Sequence, residues 1–296
     1  MLLALLKTMR PRQWPKNVFV FVALVFDGKL VLQALGTIER VFTAFVLFCL
    51  ISSAVYIMND LADIEEDRLH PKKKFRPLPA GDLPIPVARI AMIVFGFGSL
   101  GLSFYLDQVW GTNLFIILLT YTLLQIAYTL YLKRIVLLDV SAVAAGFVLR
   151  VAAGVAMFDE TRFSPWLYLC IALLSLFLVL GKRRHELIIL GEDAARHRSI
   201  LAEYTIGFLD QLIMIVTTSA IVSYSLYTFL AEGLPEDNLM MLTIPFAAYA
   251  LFRWLYLMYV QGKGGAPEDL ALEDRPLQIT SLLFVLMVIF VLYIAK

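Results

Sequence analysis

Nine apolar stretches, each long enough to cross about 30 Å of hydrocarbon, account for most of the chain: residues 18–36, 41–58, 85–106, 113–132, 137–157, 165–181, 208–230, 239–260 and 277–295. In hydrocarbon every backbone N–H and C=O must find its partner within the protein, so stretches of this length fold as helices. With 60% hydrophobic residues and a mean hydropathy of +0.81, a water-soluble domain is excluded. The expectation is an all-α integral membrane protein with nine transmembrane helices. The longest connections, 59–84 and 182–207, are 26 residues each. Neither holds a soluble domain, so the chain reads as a single membrane domain over 1–296.

Of the 25 Lys and Arg residues, 18 fall in the amino-terminal tail (Lys7, Arg10, Arg12, Lys16) and in the loops after helices two, four, six and eight. The opposite side carries Lys29, Arg40, Arg162 and Lys296. That asymmetry predicts a multi-pass protein of the plasma (inner) membrane with a cytoplasmic amino terminus. Both long loops then face the cytoplasm. Residues 1–6 are too short an apolar run, with charges after rather than before it, to be a cleaved signal; residues 1–17 read as an interfacial segment. Cys49 and Cys170 stand alone in apolar spans and read as small buried hydrophobes. The net charge of +1 singles out no partner and gives no reason to expect nucleic acid.

The first long loop opens Asn59-Asp60-x-x-Asp63-x-x-x-Asp67. A helical repeat sets the three aspartates on one stripe, and hard divalent ions take such oxygens together with a substrate's phosphates. Asn59, Asp60, Asp63 and Asp67 are therefore the expected Mg²⁺ ligands, with Lys73 and Arg76 as phosphate clamps. The plainer alternative is a solvated acidic helix end balanced by Lys72, Lys73, Lys74 and Arg76. Pro77, Pro79, Pro84 and Pro86 argue against a continuous helix through the rest of the loop.

The second loop opens Gly181-Lys182-Arg183-Arg184-His185-Glu186 and continues Glu192-Asp193-x-x-Arg196-His197-Arg198. Its cations suit a substrate with several phosphates, or else only enforce topology; the two histidines lack metal-ligand spacing. Lys16 and Asn17 sit where a helix start presents donors to phosphate, beside Trp14, an interfacial anchor. Tyr128, Tyr131, Lys133, Arg134 and Asp139 form a polar group between helices four and five. Asp139 and Arg150, ionisable groups inside a span, are costly unless paired or facing water, and are expected in one cavity. Gly96-Phe97-Gly98-Ser99-Leu100-Gly101 matches a dinucleotide fingerprint but follows no strand, and reads as a helix-packing surface.

Four stretches together resemble the UbiA superfamily of intramembrane prenyltransferases: Met9 to Asn17, Asn59 to Pro77, Leu138-Asp139 with Gly146 to Arg150, and Gly181 to Arg198. The likeness is strongest to the branch that moves phosphoribosyl onto decaprenyl phosphate, because Lys182, Arg183, Arg184 and Glu186 stand where aromatic prenyltransferases carry a second D-x-x-x-D. It implies a helical bundle around a central cavity open to the cytoplasm, with 59–84 and 182–207 as catalytic loops. It also implies a Mg²⁺-dependent transfer of 5-phosphoribosyl from phosphoribosyl diphosphate to a polyprenyl phosphate for cell-wall arabinose donors. Asp60, Asp63 and Asp67 would be catalytic. Arg10, Asn17, Lys73, Arg76, Tyr128, Asp139 and Glu186 would line the substrates; Lys16, Lys133 or Arg150 would meet the lipid phosphate and Lys182 to Arg184 the ribose 5-phosphate. Membrane lipids are natural partners, and homo-oligomerisation is left open. Two alternatives stand beside this: prenyl transfer to an aromatic or tetrapyrrole acceptor, which should need two Asp motifs, and a carrier of anionic lipid, which should need none.

Overall fold

In the computed structural model the apolar stretches are helices, and no strand occurs among the described residues, which are all but 27–34, 70–72, 159–163, 192–198, 232–233, 236, 266–269, 272 and 296. The helices are α1 (Leu2–Thr8), α2 (Val22–Phe26), α3 (Leu35–Ala62), α4 (Ile64–Leu69), α5 (Ile85–Trp110), α6 (Leu114–Leu130), α7 (Leu138–Val155), α8 (Pro165–Leu190), α9 (Ile206–Leu230), α10 (Ile244–Tyr259) and α11 (Arg275–Ile289). A 3-10 segment, Pro11–Phe21, leads into α2, and a π turn, Phe290–Ile294, ends α11.

Seven helical stretches are long and apolar enough to cross a membrane, and α6 is shorter at 17 residues. Of the expected first span, residues 18–26 are 3-10 and then α-helical to Phe26, 27–34 lie outside the described residues, and Leu35 and Gly36 already belong to α3. Nine crossings are thus not counted among the described residues. Two boundaries also move. The second span was expected over 41–58, yet α3 runs Leu35–Ala62 and carries Asn59 and Asp60 on its own last turn. The sixth was expected to stop at 181, yet α8 continues to Leu190, so Lys182 to Glu186 stand on a helix and not in a loop. Hydropathy marks where hydrocarbon ends; backbone hydrogen bonding carries the helix further.

Local chemistry explains the well-placed ends. Gly111 closes α5 in the left-handed conformation at φ 68°, which a Cβ disfavours. Asp107, on the last turn of α5, accepts from the N–H groups of Leu114 and Phe115 at 2.9 and 2.8 Å, satisfying orphan donors at the start of α6. Thr205 caps α9 and Asp274 caps α11 through the Phe208 and Leu277 N–H groups.

By contact the chain divides into two compact units: Met1–Leu24 with Lys29–Leu130 and Leu149–Thr161, and Val25–Gly28 with Tyr131–Val148 and Arg162–Lys296. In the first, Phe48 and Ile51 of α3 pack with Leu114, Leu118 and Tyr121 of α6 and with Ala153 and Met157. The 3-10 segment crosses α7 so closely that a Cβ on Gly154 would lie 1.9 Å from the Val20 carbonyl oxygen. In the second, Phe177 and Leu180 of α8 pack with Leu209 and Ile213 of α9, Met258 of α10, Val140 and Tyr204. The Gly96 to Gly101 stretch packs on one side, where Ser99 is buried and Leu100 lies against the core of the first unit. A Cβ at Gly96 would meet Ala54 at 3.7 Å, but Gly98 and Gly101 face open space.

Candidate active site

In the first unit, the Asp motif spans a helix break. The α-helical bonding continues across it, Asp63 N–H to Asn59 O at 2.9 Å and Asp67 N–H to Asp63 O at 2.8 Å, but Asp63 is a bend between α3 and α4. Asp60 and Asp67 are 2% and 1% exposed and converge on one guanidinium. Arg76 Nη1 donates to Asp67 Oδ2 at 2.6 Å and to Asp60 Oδ1 at 3.2 Å. Arg10 Nη2 also donates to Asp60 Oδ1, and Lys73 Nζ lies 3.3 Å from Asp67 Oδ1.

Arg10 reaches this position from a left-handed backbone, φ 54° and ψ 61°, unusual for a residue with a Cβ. Its neighbours hold it there. Ser53 of α3 donates to the Met9 carbonyl at 3.1 Å and accepts from Trp14 Nε1 at 3.2 Å, and the guanidinium stacks 5.0 Å from the Tyr56 ring centre. The exposed Met1, Leu2, Leu3 and Leu6 give α1 the apolar surface of an interfacial helix.

Of the four expected ligands, the contacts of the described residues bring Asp60 and Asp67 together. Among the described residues, no three His, Cys, Asp or Glu side chains gather to hold a metal. Asn59 Oδ1 accepts from Thr129 at 2.9 Å. The solvated acidic end is equally absent, since both carboxylates are buried. Their chemistry still suits a hard cation. The donors are all oxygen, and Asp67 Oδ1 is buried without a hydrogen bond, its nearest cation standing at ion-pair distance without hydrogen-bond alignment.

Asn17 and Arg150 form a second interior group of this unit. Arg150, 6% exposed, donates to Asn17 Oδ1 at 2.7 Å and to Tyr121 Oη at 3.0 Å, and lies 4.9 Å from the Tyr121 ring centre. Asn17 donates to Cys49 Sγ at 3.2 Å. Asn17 is therefore an interior ligand of Arg150 and not a helix-start donor, because it falls well inside the 3-10 segment. Lys16 and Tyr128 are half-buried in the same unit.

The second unit holds Asp139, which is fully buried, on the first turn of α7, where the helix dipole favours an anion. Arg183 Nε donates to its Oδ2 at 3.0 Å, and Arg183 Nη1 to Glu186 Oε2 at 2.7 Å. Tyr204 Oη donates to Asp139 Oδ1 at 2.6 Å while accepting the Leu137 N–H at 2.9 Å. Burial first, and then the Asp139 carboxylate, push the Tyr204 hydroxyl up to about 12, so it remains a donor. Asp139 and Arg150, expected in one cavity, are eleven residues apart on α7, about 16 Å by the helical rise.

The three cations of α8 do different work. Arg184 Nε donates to Asp210 at 2.5 Å and stacks 4.3 Å from the Tyr259 ring centre. Tyr259 Oη donates to the same carboxylate oxygen at 3.0 Å, so Arg184 clamps α8 to α9 and α10. Lys182 is half-buried and, among the described residues, has no carboxylate partner. Lys133 is half-buried and Arg134 exposed on a 3-10 turn, Leu132–Arg134. His70, Pro71, Lys72, Glu192, Asp193, Arg196, His197 and Arg198 lie outside the described residues, as do Lys29, Arg162 and Lys296.

Local sequence did not reveal Tyr204, Tyr121 or Thr129. The one available signal was that a tyrosine among apolar residues must satisfy its hydroxyl.

A model of the UbiA prenyltransferase family matches residues 18–264. The chain belongs to the UbiA prenyltransferase family. Its UbiA relatives include the decaprenyl-phosphate phosphoribosyltransferase of Corynebacterium glutamicum, 35% identical over 98% of this chain and 87% of that protein. The enzyme of the same name from Mycobacterium tuberculosis is also 35% identical, over 94% of this chain and 91% of that one. Among solved structures, a UbiA homologue from Archaeoglobus fulgidus bound to GPP and Mg²⁺ superposes with a TM-score of 0.71 at 16% identity, covering 98% of this chain and 99% of that one. That structure shares the UbiA fold.

Proposed function

We propose that this protein transfers 5-phosphoribosyl from phosphoribosyl diphosphate to a polyprenyl phosphate, releasing pyrophosphate, at the cytoplasmic face of the membrane. The observation that carries the reading is the gathering of Arg10, Arg76 and Lys73 on the two buried carboxylates Asp60 and Asp67. Carboxylates alone would repel a diphosphate. With three cations beside them they form a cradle that binds phosphate oxygens through arginine while presenting acids to a metal. The names of the 35%-identical relatives support phosphoribosyl as the group moved.

In the reaction, an oxygen of the lipid phosphate attacks C1 of the ribose. The bond from C1 to the diphosphate oxygen breaks, and pyrophosphate departs with the bonding pair. The attacking phosphate is already anionic at neutral pH, so no general base is required. Asp60 and Asp67, with Asn59 and Asp63 of the same motif, are the residues that would hold Mg²⁺, whose Lewis acidity lowers the charge on a diphosphate. Arg76 and Arg10 exchange their carboxylate partners for phosphate oxygens, which two-pronged guanidinium donors fit well. Lys182 and Arg183 are assigned to the ribose 5-phosphate. For Arg183 this needs Glu186, whose side chain is 28% exposed, to give way, while buried Asp139 stays. Lys16, Lys133 or Arg150 is assigned to the lipid phosphate; Arg150 in its aromatic enclosure is the least accessible of the three.

Purified protein given Mg²⁺, labelled phosphoribosyl diphosphate and decaprenyl phosphate should form a labelled glycolipid and release pyrophosphate, and EDTA should stop both. Consumption of a prenyl diphosphate with an aromatic acceptor, and no glycolipid, would overturn the reading.

A further inference from the structure

Arg183 is 4% exposed and its guanidinium is aimed by two carboxylates of unlike freedom. Glu186, partly exposed, lies one helical turn along α8 and moves with that helix. Asp139 is fully buried and belongs to α7, so its orientation decides where Arg183 points. One oxygen of Asp139 is spent on Arg183 Nε. The other is fixed at 2.6 Å by the Tyr204 hydroxyl.

The same hydroxyl oxygen accepts the N–H of Leu137, a residue whose φ of 66° is strained for a leucine. Tyr204 itself is 3% exposed and packed among Val140, Phe177 and Leu209. One phenol thus ties the backbone entering α7 to the carboxylate that aims Arg183. Among the described residues its hydrogen bonds are to Asp139 and Leu137, neither of which is assigned to a phosphate.

We propose that Tyr204 is a positioning residue: through Asp139 it sets the guanidinium of Arg183 for the ribose 5-phosphate of phosphoribosyl diphosphate. This rests on the phosphate-binding role given to Arg183 above. Removing the hydroxyl leaves Asp139 free to rotate and the Leu137 N–H without its acceptor. Affinity for phosphoribosyl diphosphate falls, whereas affinity for the polyprenyl phosphate, which Arg183 does not meet, stays.

The test uses full-length protein in nanodiscs as wild type, Tyr204→Phe, Arg183→Lys, the double variant, and Tyr224→Phe. Tyr224 is a control of similar structural cost, a buried tyrosine of the same unit whose hydroxyl bonds Thr243 at 2.6 Å. Melting temperature, the Kd of phosphoribosyl diphosphate with Mg²⁺ in the absence of lipid acceptor, and the KM for polyprenyl phosphate are measured for each. Tyr204→Phe should weaken phosphoribosyl diphosphate roughly tenfold, the scale of one hydrogen bond to a charged group, with the lipid KM within about twofold. The double variant should be no weaker than Arg183→Lys, as for residues acting in series. Tyr224→Phe should lower the melting temperature and leave the Kd unchanged.

If Tyr204→Phe does not fold, Asp139→Asn, which keeps shape and loses charge, should show the same selective weakening. A Tyr204→Phe protein that behaves like Tyr224→Phe, or whose effect adds in full to Arg183→Lys, overturns the proposal alone. A wild type that binds no phosphoribosyl diphosphate overturns the functional reading and the proposal with it.

Discussion

In the first unit two buried carboxylates are met by three cations, whereas in the second one buried guanidinium is met by two carboxylates. Along the sequence the signs run the other way, an acidic motif first and a basic one later. The fold inverts them because the decisive partners arrive from a distance: Arg10 is 50 residues from Asp60, and Asp139 is 44 from Arg183. The acidic motif is thereby a place that accepts anions. The basic motif is one where arginines are held under restraint, Arg183 by Asp139 and Glu186 and Arg184 by Asp210.

The sharpest way to break this comparison is at the carboxylates. Asp60→Asn or Asp67→Asn should lower kcat/KM by about 10³-fold or more, on the scale of several kcal/mol of charge stabilisation; a steady-state assay showing less than tenfold loss in both would remove the acids from the chemistry.

Next comes packing. Alanine at Gly154 drives a Cβ into the Val20 backbone and should prevent recovery of folded protein, while Gly181→Ala, whose Cβ meets the movable Met258 sulfur at 2.7 Å, should fold with a modestly lower melting temperature. Equal outcomes in size-exclusion and thermal melts would contradict the difference drawn between the two crossings.

Charge removal should separate the units again. Arg76→Ala takes one cation from each of two buried carboxylates, leaving Asp60 with Arg10 and Asp67 with Lys73, and should cost about 1–3 kcal/mol, against about 1 kcal/mol or less for Arg184→Ala, whose partner Asp210 is a third exposed. Denaturation in mixed micelles measures both.

The smallest effect is in pH. The Arg253 guanidinium holds Asp274 below the usual carboxylate range, so its stabilisation is present above the ordinary aspartate value and is lost as pH falls through its lowered one. Melting curves taken from pH 6 downward should flatten slightly in Asp274→Asn.

Much of the architecture was legible because hydrocarbon imposes a coarse and strict rule: Ile85, Pro165 and Leu230 bound helices where the apolar runs begin or end. The extensions of α3 and α8 were not, since polar residues such as Asp60 and Lys182 stop an apolar run without stopping i→i−4 bonding. At the candidate site, the residue types were readable but their pairing was not. No local pattern tells that Arg76 sits between Asp60 and Asp67, that Arg184 turns toward Asp210, or that Tyr204 closes on Asp139 from 65 residues away.

The length of α3 carries one more consequence. Its 28 residues make a rod of about 42 Å, longer than the roughly 30 Å slab it traverses, and Asp60 rides on the tip. Lipids with shorter or longer tails will tilt that rod, raising or lowering the acid with respect to the headgroups. Turnover should therefore track bilayer thickness even when every side chain is intact.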